Sequence, residues 1–261
     1  MDPGFRSPLI DFFRRGEVAR DVRLLAAQGA LAPRAQEQLA LLILLSDDPD
    51  PEVTRAAAAT LDALPVEPLR AFLARSDTPE EMRSFFQARG VQPSETPAPM
   101  DLEEPLLDTL TEIPDVPEGE GEAERKVLSS LSVLERMKLA MKGTREQRAQ
   151  LIRDSNKLVS AAVLASPKVN DAEIEAFTKM GNVSEDVLRI IASNRAWMKS
   201  YPIVHSLTKN PKTPLGMSLN LMQRLNDRDL AQLSVDRNVP EPLRIAARKK
   251  VVAKQSGKER A

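Results

Sequence analysis

Cysteine is absent from this 261-residue chain. Disulfides, thiolate nucleophiles and cysteine-ligated zinc or iron–sulfur sites are therefore excluded. Histidine occurs once, as His205 between Val204 and Ser206 in an apolar run. A two-histidine metal site cannot be built from one residue, and nucleophilic triads lack a plausible histidine spacing. His205 is therefore expected to be structural or solvent-facing. Glycine is sparse, at 10 residues. Neither Gly-x-x-x-x-Gly-Lys-Ser/Thr nor Gly-x-Gly-x-x-Gly occurs, so no phosphate-cradling loop is indicated. No apolar stretch approaches the ~20 residues of a membrane span. The first fifteen residues lack a basic region followed by an apolar run, which leaves the cytoplasm as the expected compartment. Sustained polar–apolar alternation bounded by Asn-Gly or Asp-Gly is also missing, and with it the signature of β-hairpins.

Aromatic residues make up only 3% of the chain, against 42% hydrophobic residues in all. A core of Leu, Ile, Val and Ala with few aromatic plugs suits thin helical layers better than a deep globular interior. The 20 prolines fit short helices entered through proline-started turns. Helices are expected over 24–28, 33–45, 51–64, 66–74 and 79–88. In the second half they are expected over 124–141, 146–154, 157–164, 171–180, 184–192, 198–209, 214–225 and 240–254. The fold class is all-α.

The net charge of −1 conceals a split. Residues 1–90 hold 11 basic and 14 acidic side chains; residues 91–123 hold 10 acidic and none basic; residues 124–261 hold 26 basic and 14 acidic. Residues 91–121 also contain Pro93, Pro97, Pro99, Pro105, Pro114 and Pro117, and one sign of charge with many prolines opposes a packed core. Three regions are expected: an N-terminal helical domain over 1–90, an acidic Pro-rich flexible linker over 91–121, and a basic helical-repeat domain over 122–261. Within the linker, Leu102, Leu106, Leu107, Leu110 and Ile113 fall near helical spacing. They belong either to plain spacer or to an amphipathic segment that docks on a basic groove. The charge split favours residues 95–122 turning back onto the basic block.

Repeats carry the most information. Pro51-Glu52-Val53-Thr54-Arg55 recurs as Pro79-Glu80-Glu81-Met82-Arg83, 28 residues on, and as Pro240-Glu241-Pro242-Leu243-Arg244. Proline suits the first helical position, Asp50 and Thr78 can cap, and Thr78 with Glu81 has capping-box spacing. Val239 cannot cap. Ser166-Pro167-Lys168 and Asn210-Pro211-Lys212 lie 44 apart, as do Asn194 and Asn238. Each follows an apolar stretch, where asparagine can end a helix in the left-handed region. Short helices, Pro-Glu starts and Val/Leu-x-Arg marks resemble HEAT-like repeats. Thr208-Lys209-Asn210-Pro211-Lys212-Thr213-Pro214, followed by leucines, resembles the leucine-rich-variant type of bacterial α-solenoid. The stretch Leu151 to Val251 resembles a family of bacterial helical-repeat proteins through Leu151-Ile152-Arg153-Asp154-Ser155-Asn156-Lys157, Ile191-Ala192-Ser193-Asn194-Arg195-Ala196-Trp197 and Asn210-Pro211-Lys212-Thr213-Pro214. The resemblance covers under half the chain. It implies a solenoid fold and brings no established activity.

The sole Trp and sole Tyr lie in Arg195-Ala196-Trp197-Met198-Lys199-Ser200-Tyr201. Trp, Tyr and Arg are the commonest binding anchors. Stacked repeats align equivalent turns, so Arg189, Arg195, Trp197, Lys199, Tyr201, Lys209 and Lys212 form the candidate binding set. The competing reading makes Trp197 a core plug and the lysines a solvated face. The C-terminal cations Arg244, Arg248, Lys249, Lys250, Lys254, Lys258 and Arg260 suit either phosphate neutralisation or a solubilising cap. Paired carboxylates such as Asp47-Asp48 and Glu103-Glu104 sit in a turn and in the linker, where water keeps them ordinary. The expected function is a non-enzymatic scaffold for a protein partner. Nucleic-acid binding by the basic half is the alternative. No catalytic, metal or cofactor site, small-molecule substrate or membrane association is indicated.

Overall fold

The computed structural model describes residues 3–5, 7–32, 34–99, 104–107, 127, 128 and 130–258. The chain is all-helical, with no strand among these residues. It divides into two compact units: Met1–Leu151 with Leu158–Lys168, and Ile152–Lys157 with Val169–Ala261.

In the first unit the helices are α1 (Pro8–Arg14), α2 (Arg20–Ala27), α3 (Ala35–Leu45), α4 (Pro51–Asp62), α5 (Val66–Leu73), α6 (Glu80–Ala88), α7 (Val133–Lys142), α8 (Arg145–Leu151) and α9 (Lys157–Ala165). From Leu39 to Leu45 helix α3 is an unbroken apolar run, as suits a central element. It packs on α1, α2, α4 and α6, and Leu39, Leu41, Leu42 and Ile43 are fully buried. Helices α2 and α4 also pack on each other. There Arg20 binds Asp50 and Glu52, and Arg23 meets Asp48 at 3.0 Å. The Arg20 guanidinium, followed by the Glu52 amide, holds the Asp50 carboxyl below its ordinary range.

The described parts of the acidic stretch are seated on the N-terminal helices. Ser94 and Ala98 donate backbone N–H bonds to Arg70 and Ala71 of α5. Buried Gln38 of α3 donates to the Leu107 carbonyl at 2.7 Å and accepts the Leu107 N–H at 3.1 Å. Leu102, Leu110 and Ile113 lie outside the described residues, as do 108–122 as a whole.

In the second unit the helices are α10 (Asp171–Lys179), α11 (Glu185–Ser193), α12 (Tyr201–Lys209), α13 (Leu215–Leu221), α14 (Asp227–Leu233) and α15 (Glu241–Lys258), with short 3₁₀ turns at Trp197–Lys199 and Met222–Arg224. Here α12 packs on α10, α11 and α13, and α15 packs on α13 and α14. The last pair closes over a cluster of Met222, Leu225, Leu230, Leu233, Val239, Leu243 and Ala247.

Polar bonds between helices recur at a narrow sequence separation. Lys157 binds Asp186, Tyr201 binds Asp229, Lys209 binds Asp236 and Arg224 reaches Met198. These steps of 29, 28, 27 and 26 residues bracket the 28-residue offset between the Pro-Glu starts, while the Asn210 bonds to Thr178 and Met180 span 32 and 30.

Three local expectations need correction. Asn194 and Asn210 end their helices in extended backbone (φ −82°, ψ 114° and φ −71°, ψ 122°), not in the left-handed region. Each side-chain oxygen instead accepts an N–H two residues on, from Ala196 and Lys212, an Asx turn that needs no positive φ. Thr78 does not cap α6. Pro79 takes the cap position in extended conformation, and the Thr78 hydroxyl donates back to the Phe72 carbonyl at 2.9 Å. Thr213 before Pro214 does the same toward Leu207 at 2.7 Å. The two Thr-Pro steps therefore tie the end of one helix to the start of the next. Finally, the helix expected over 198–209 is interrupted at Ser200, and α12 starts at Tyr201 with Pro202 in its first turn.

Replacing Thr78 or Thr213 with valine keeps the shape and removes the hydroxyl bond from a helix-end carbonyl that retains a backbone donor, the Arg75 N–H on Phe72 and the Asn210 N–H on Leu207. Each change is expected to cost about 1 kcal/mol, read as a lowered urea midpoint at unchanged m-value.

Candidate functional site

The seven candidate residues do not form one surface. Tyr201 begins α12 and Lys209 ends it, so roughly 12 Å of helix separates them at 1.5 Å per residue. Arg195, Trp197, Lys199 and Tyr201 gather at the N-terminal end of α12; Lys209 and Lys212 lie at the other end. Arg189, midway along α11, is engaged by Glu185 at 2.5 Å.

At the far end, Lys209 pairs with Asp236 at 3.5 Å and Lys179 with Glu175 at 2.6 Å. Both lysines line a cleft of about 240 Å³ with Thr178, His205, Ser206, Asn210 and Pro211. The C-terminal ends of α10 and α12 present their negative dipole ends here. The two lysines compensate those dipoles, and their charges are further met by carboxylates, so the cleft has little left to offer an anion. A wider cleft of about 890 Å³ in the first unit runs between Pro68, Ala71 and Phe72 of α5, with Arg75 just beyond it, and the segments 94–99 and 104–106. It is the seat of the acidic stretch already described.

At the near end the polar groups are organised. The Tyr201 hydroxyl donates to Asp229 Oδ2 at 2.5 Å, and Asn226 Nδ2 donates to the same oxygen at 2.9 Å. The Asn226 N–H donates to the Tyr201 oxygen at 3.2 Å. His205 stacks on the Tyr201 ring with centroids 6.4 Å apart, and its Nε2 lies 4.0 Å from Asp229 Oδ1. Hydrogen bonding from Tyr201 holds the Asp229 carboxyl below its usual range, with His205 and Arg228 adding to the effect. Burial, followed by the Asp229 bond, pushes the Tyr201 phenol up.

Around this network Trp197 is half-buried and Tyr201 is 38% exposed. Trp197 is thus neither a sealed core plug nor a free ring. Arg195 and Lys199 are exposed and make no side-chain bond among the described residues. Arg224 spans from the next turn, donating to the Met198 carbonyl at 2.6 Å. Asp229, Asn226 and Arg224 are absent from the sequence-based set. Their signal was the Asn-Asp helix start at 226–227, since Asn226 caps α14.

Because the Asp229 carboxyl is depressed in the fold, its bond contributes stability above the unfolded pKa near 4 and loses it as pH falls through the lower folded value. Tyr201→Phe is expected to cost about 1 kcal/mol at pH 7. The gap to the parent should narrow below about pH 4, as denaturation midpoints across pH will register.

Among the described residues, no three His, Asp or Glu side chains converge as a metal site, and no helix is long and apolar enough to cross a membrane. No family model, curated protein or solved structure matches this chain.

Proposed function

We propose that the chain is a non-enzymatic binding scaffold of the bacterial cytoplasm: HEAT-like helix pairs stacked as an α-solenoid that holds a protein partner on its surface. The stacking reading is supported by the packing of α10 to α15 on helices one or two places away in sequence and by polar bonds that span 26 to 32 residues, as in quasi-one-dimensional repeat arrays. Two helical blocks joined by the acidic stretch 91–121 remain the proposed organisation. No cofactor or small-molecule substrate is assigned.

The observation that carries the binding role is the corner at the start of α12. It combines the chain's only Trp and only Tyr, both partly accessible, with two exposed, unengaged cations. Anchors of this kind dominate protein interfaces. Nucleic-acid binding draws support from the excess of basic residues over 124–261. It is weakened because Arg189 and Lys209 are engaged by carboxylates and the Tyr201 ring is held by His205 and Asp229. A ring so held is poorly placed to stack on a base.

The test is a photo-crosslinking amino acid at position 195 of the full chain, activated in cells. A protease-sensitive, nuclease-resistant adduct that disappears on Trp197→Ala supports the protein scaffold. A nuclease-sensitive adduct replaces it with the nucleic-acid reading.

A further inference from the structure

We infer that the corner at the start of α12 is a docking strip for an acidic peptide segment carrying an apolar anchor. This deepens the scaffold reading and rests on it.

The charge pattern is one-sided. Arg195, Lys199, Arg224 and Arg228 are all exposed. Arg195 and Lys199 come from the α11–α12 turn, Arg224 from the α13–α14 turn and Arg228 from the first turn of α14, and the Arg224–Met198 and Tyr201–Asp229 bonds hold these segments together. Carboxylates at the same place are already committed. Asp229 serves Tyr201 and Asn226, and Asp227 binds Lys254. Arg224 uses one guanidinium nitrogen on a backbone carbonyl, which leaves further donors in its planar fork. Arg228 shares the charge of Asp229, whereas Arg195, Lys199 and Arg224 have no carboxylate partner among the described residues, so the natural complement of the strip is anionic.

The same strip holds Trp197 and Met198 half-buried beside the accessible Tyr201. An aromatic and a thioether set among cations fit an apolar side chain flanked by carboxylates. A uniformly charged polymer would leave that apolar surface unused. A second copy of this strip is disfavoured by like charge. A stacking base would share the Tyr201 ring with His205, which already lies over part of it. Complementary charge across such a patch sets both encounter and register.

The experiment uses the full chain and fluorescein-labelled synthetic peptides of about 16 residues, a length matched to two or three repeat turns. One is glutamate-rich with two leucines one helical turn apart; the other is glutamate alone. The leucine-bearing peptide should bind and shift Trp197 emission, and the all-glutamate peptide should bind more weakly. Arg195→Glu with Lys199→Glu should lower affinity about tenfold or more, the loss of at least one good charged contact. Lys209→Glu with Lys212→Glu, at the opposite end of α12, should change it less than about twofold. All four positions are exposed or nearly so, and a cooperative thermal melt of each variant will certify that it is folded at the temperature of the binding assay. No binding, equal losses from the two charge pairs, or a single-stranded oligonucleotide that displaces the peptide would overturn the inference. A protein adduct through position 195 alongside failed peptide binding would remove only the acidic chemistry. A missing protein adduct would remove the scaffold reading itself.

Discussion

Leu42→Ala should lower the unfolding free energy by about 3 kcal/mol, within the 2–5 kcal/mol spread of buried leucine truncations. Leu42 is fully buried on α3, between Leu41 and Ile43, which are equally buried. Helix α3 meets α1, α2, α4 and α6, so every face of it is occupied. A void opened there has neighbours on all sides whose backbones are fixed by other contacts, and collapse around it is limited. The control is Leu215→Ala on α13, a leucine that is 38% exposed. Its truncation leaves no closed cavity and should cost less than about 1 kcal/mol. Urea unfolding followed by far-UV circular dichroism separates the two. Equal midpoint shifts would show that α3 is not the element on which the N-terminal helices depend.

Helix α3 was also the element most legible from sequence, because eight of its eleven residues are Leu, Ile or Ala. Long or strongly apolar helices such as α4, α10 and α11 fell within a residue or two of their expected bounds. The seven-residue helices α1 and α14 were missed. Length alone is not the reason, since the seven-residue helices α8 and α13 were expected; the signals passed over were the caps, Ser7 before Pro8 and Asn226 before Asp227. Helix α2 begins at Arg20, well before the expected start at 24, since Ala19 supplies no side-chain cap to announce it.

The candidate site was legible in composition and illegible in geometry. The Arg195–Tyr201 cluster is contiguous in sequence, so its proximity needed no fold. Placing Lys209 and Lys212 on the same face required knowing that alternate turns lie at opposite helix ends, and the sequence does not state this. Asp229, 28 residues beyond Tyr201, was reachable in principle. The offset matches the repeat step already visible in the Pro-Glu starts, and applying that step to the lone tyrosine leads to it. Lys209 and Asp236 lie 27 apart, one short of that step, which from Lys209 leads to Arg237. What the sequence withheld was which cations would find carboxylates, because that depends on neighbouring turns and not on the residue's own segment.

Removing the Asn210 side chain should cost about 2–3 kcal/mol, because three hydrogen bonds go at once in a buried setting. Its Nδ2 donates to the carbonyls of Thr178 at 2.7 Å and Met180 at 3.0 Å, and its Oδ1 accepts the Lys212 N–H. Those two carbonyls belong to the end of α10, which would be left short of donors. Asn194 is the contrast: it accepts from Ala196 and Trp197 within its own turn, so Asn194→Ala should cost nearer 1 kcal/mol. Ser166 plays the Asn210 part 44 residues earlier, donating to the Met141 carbonyl at 2.7 Å while accepting the Lys168 N–H. The sharper variant is Asn210→Asp, which sets a carboxylate oxygen where the amide donated to two carbonyls. Repulsion and burial would raise the folded pKa of that carboxyl above its unfolded value near 4. Its stability deficit should therefore be small below about pH 4 and grow as pH rises through the folded value. Asn210→Ala should show no such dependence. A flat pH response from both variants would mean that Asn210 does not bridge α10 and α12. A deficit in the aspartate variant that deepens with pH would identify this side chain as the clamp between helices two places apart, the contact on which a stacked repeat depends.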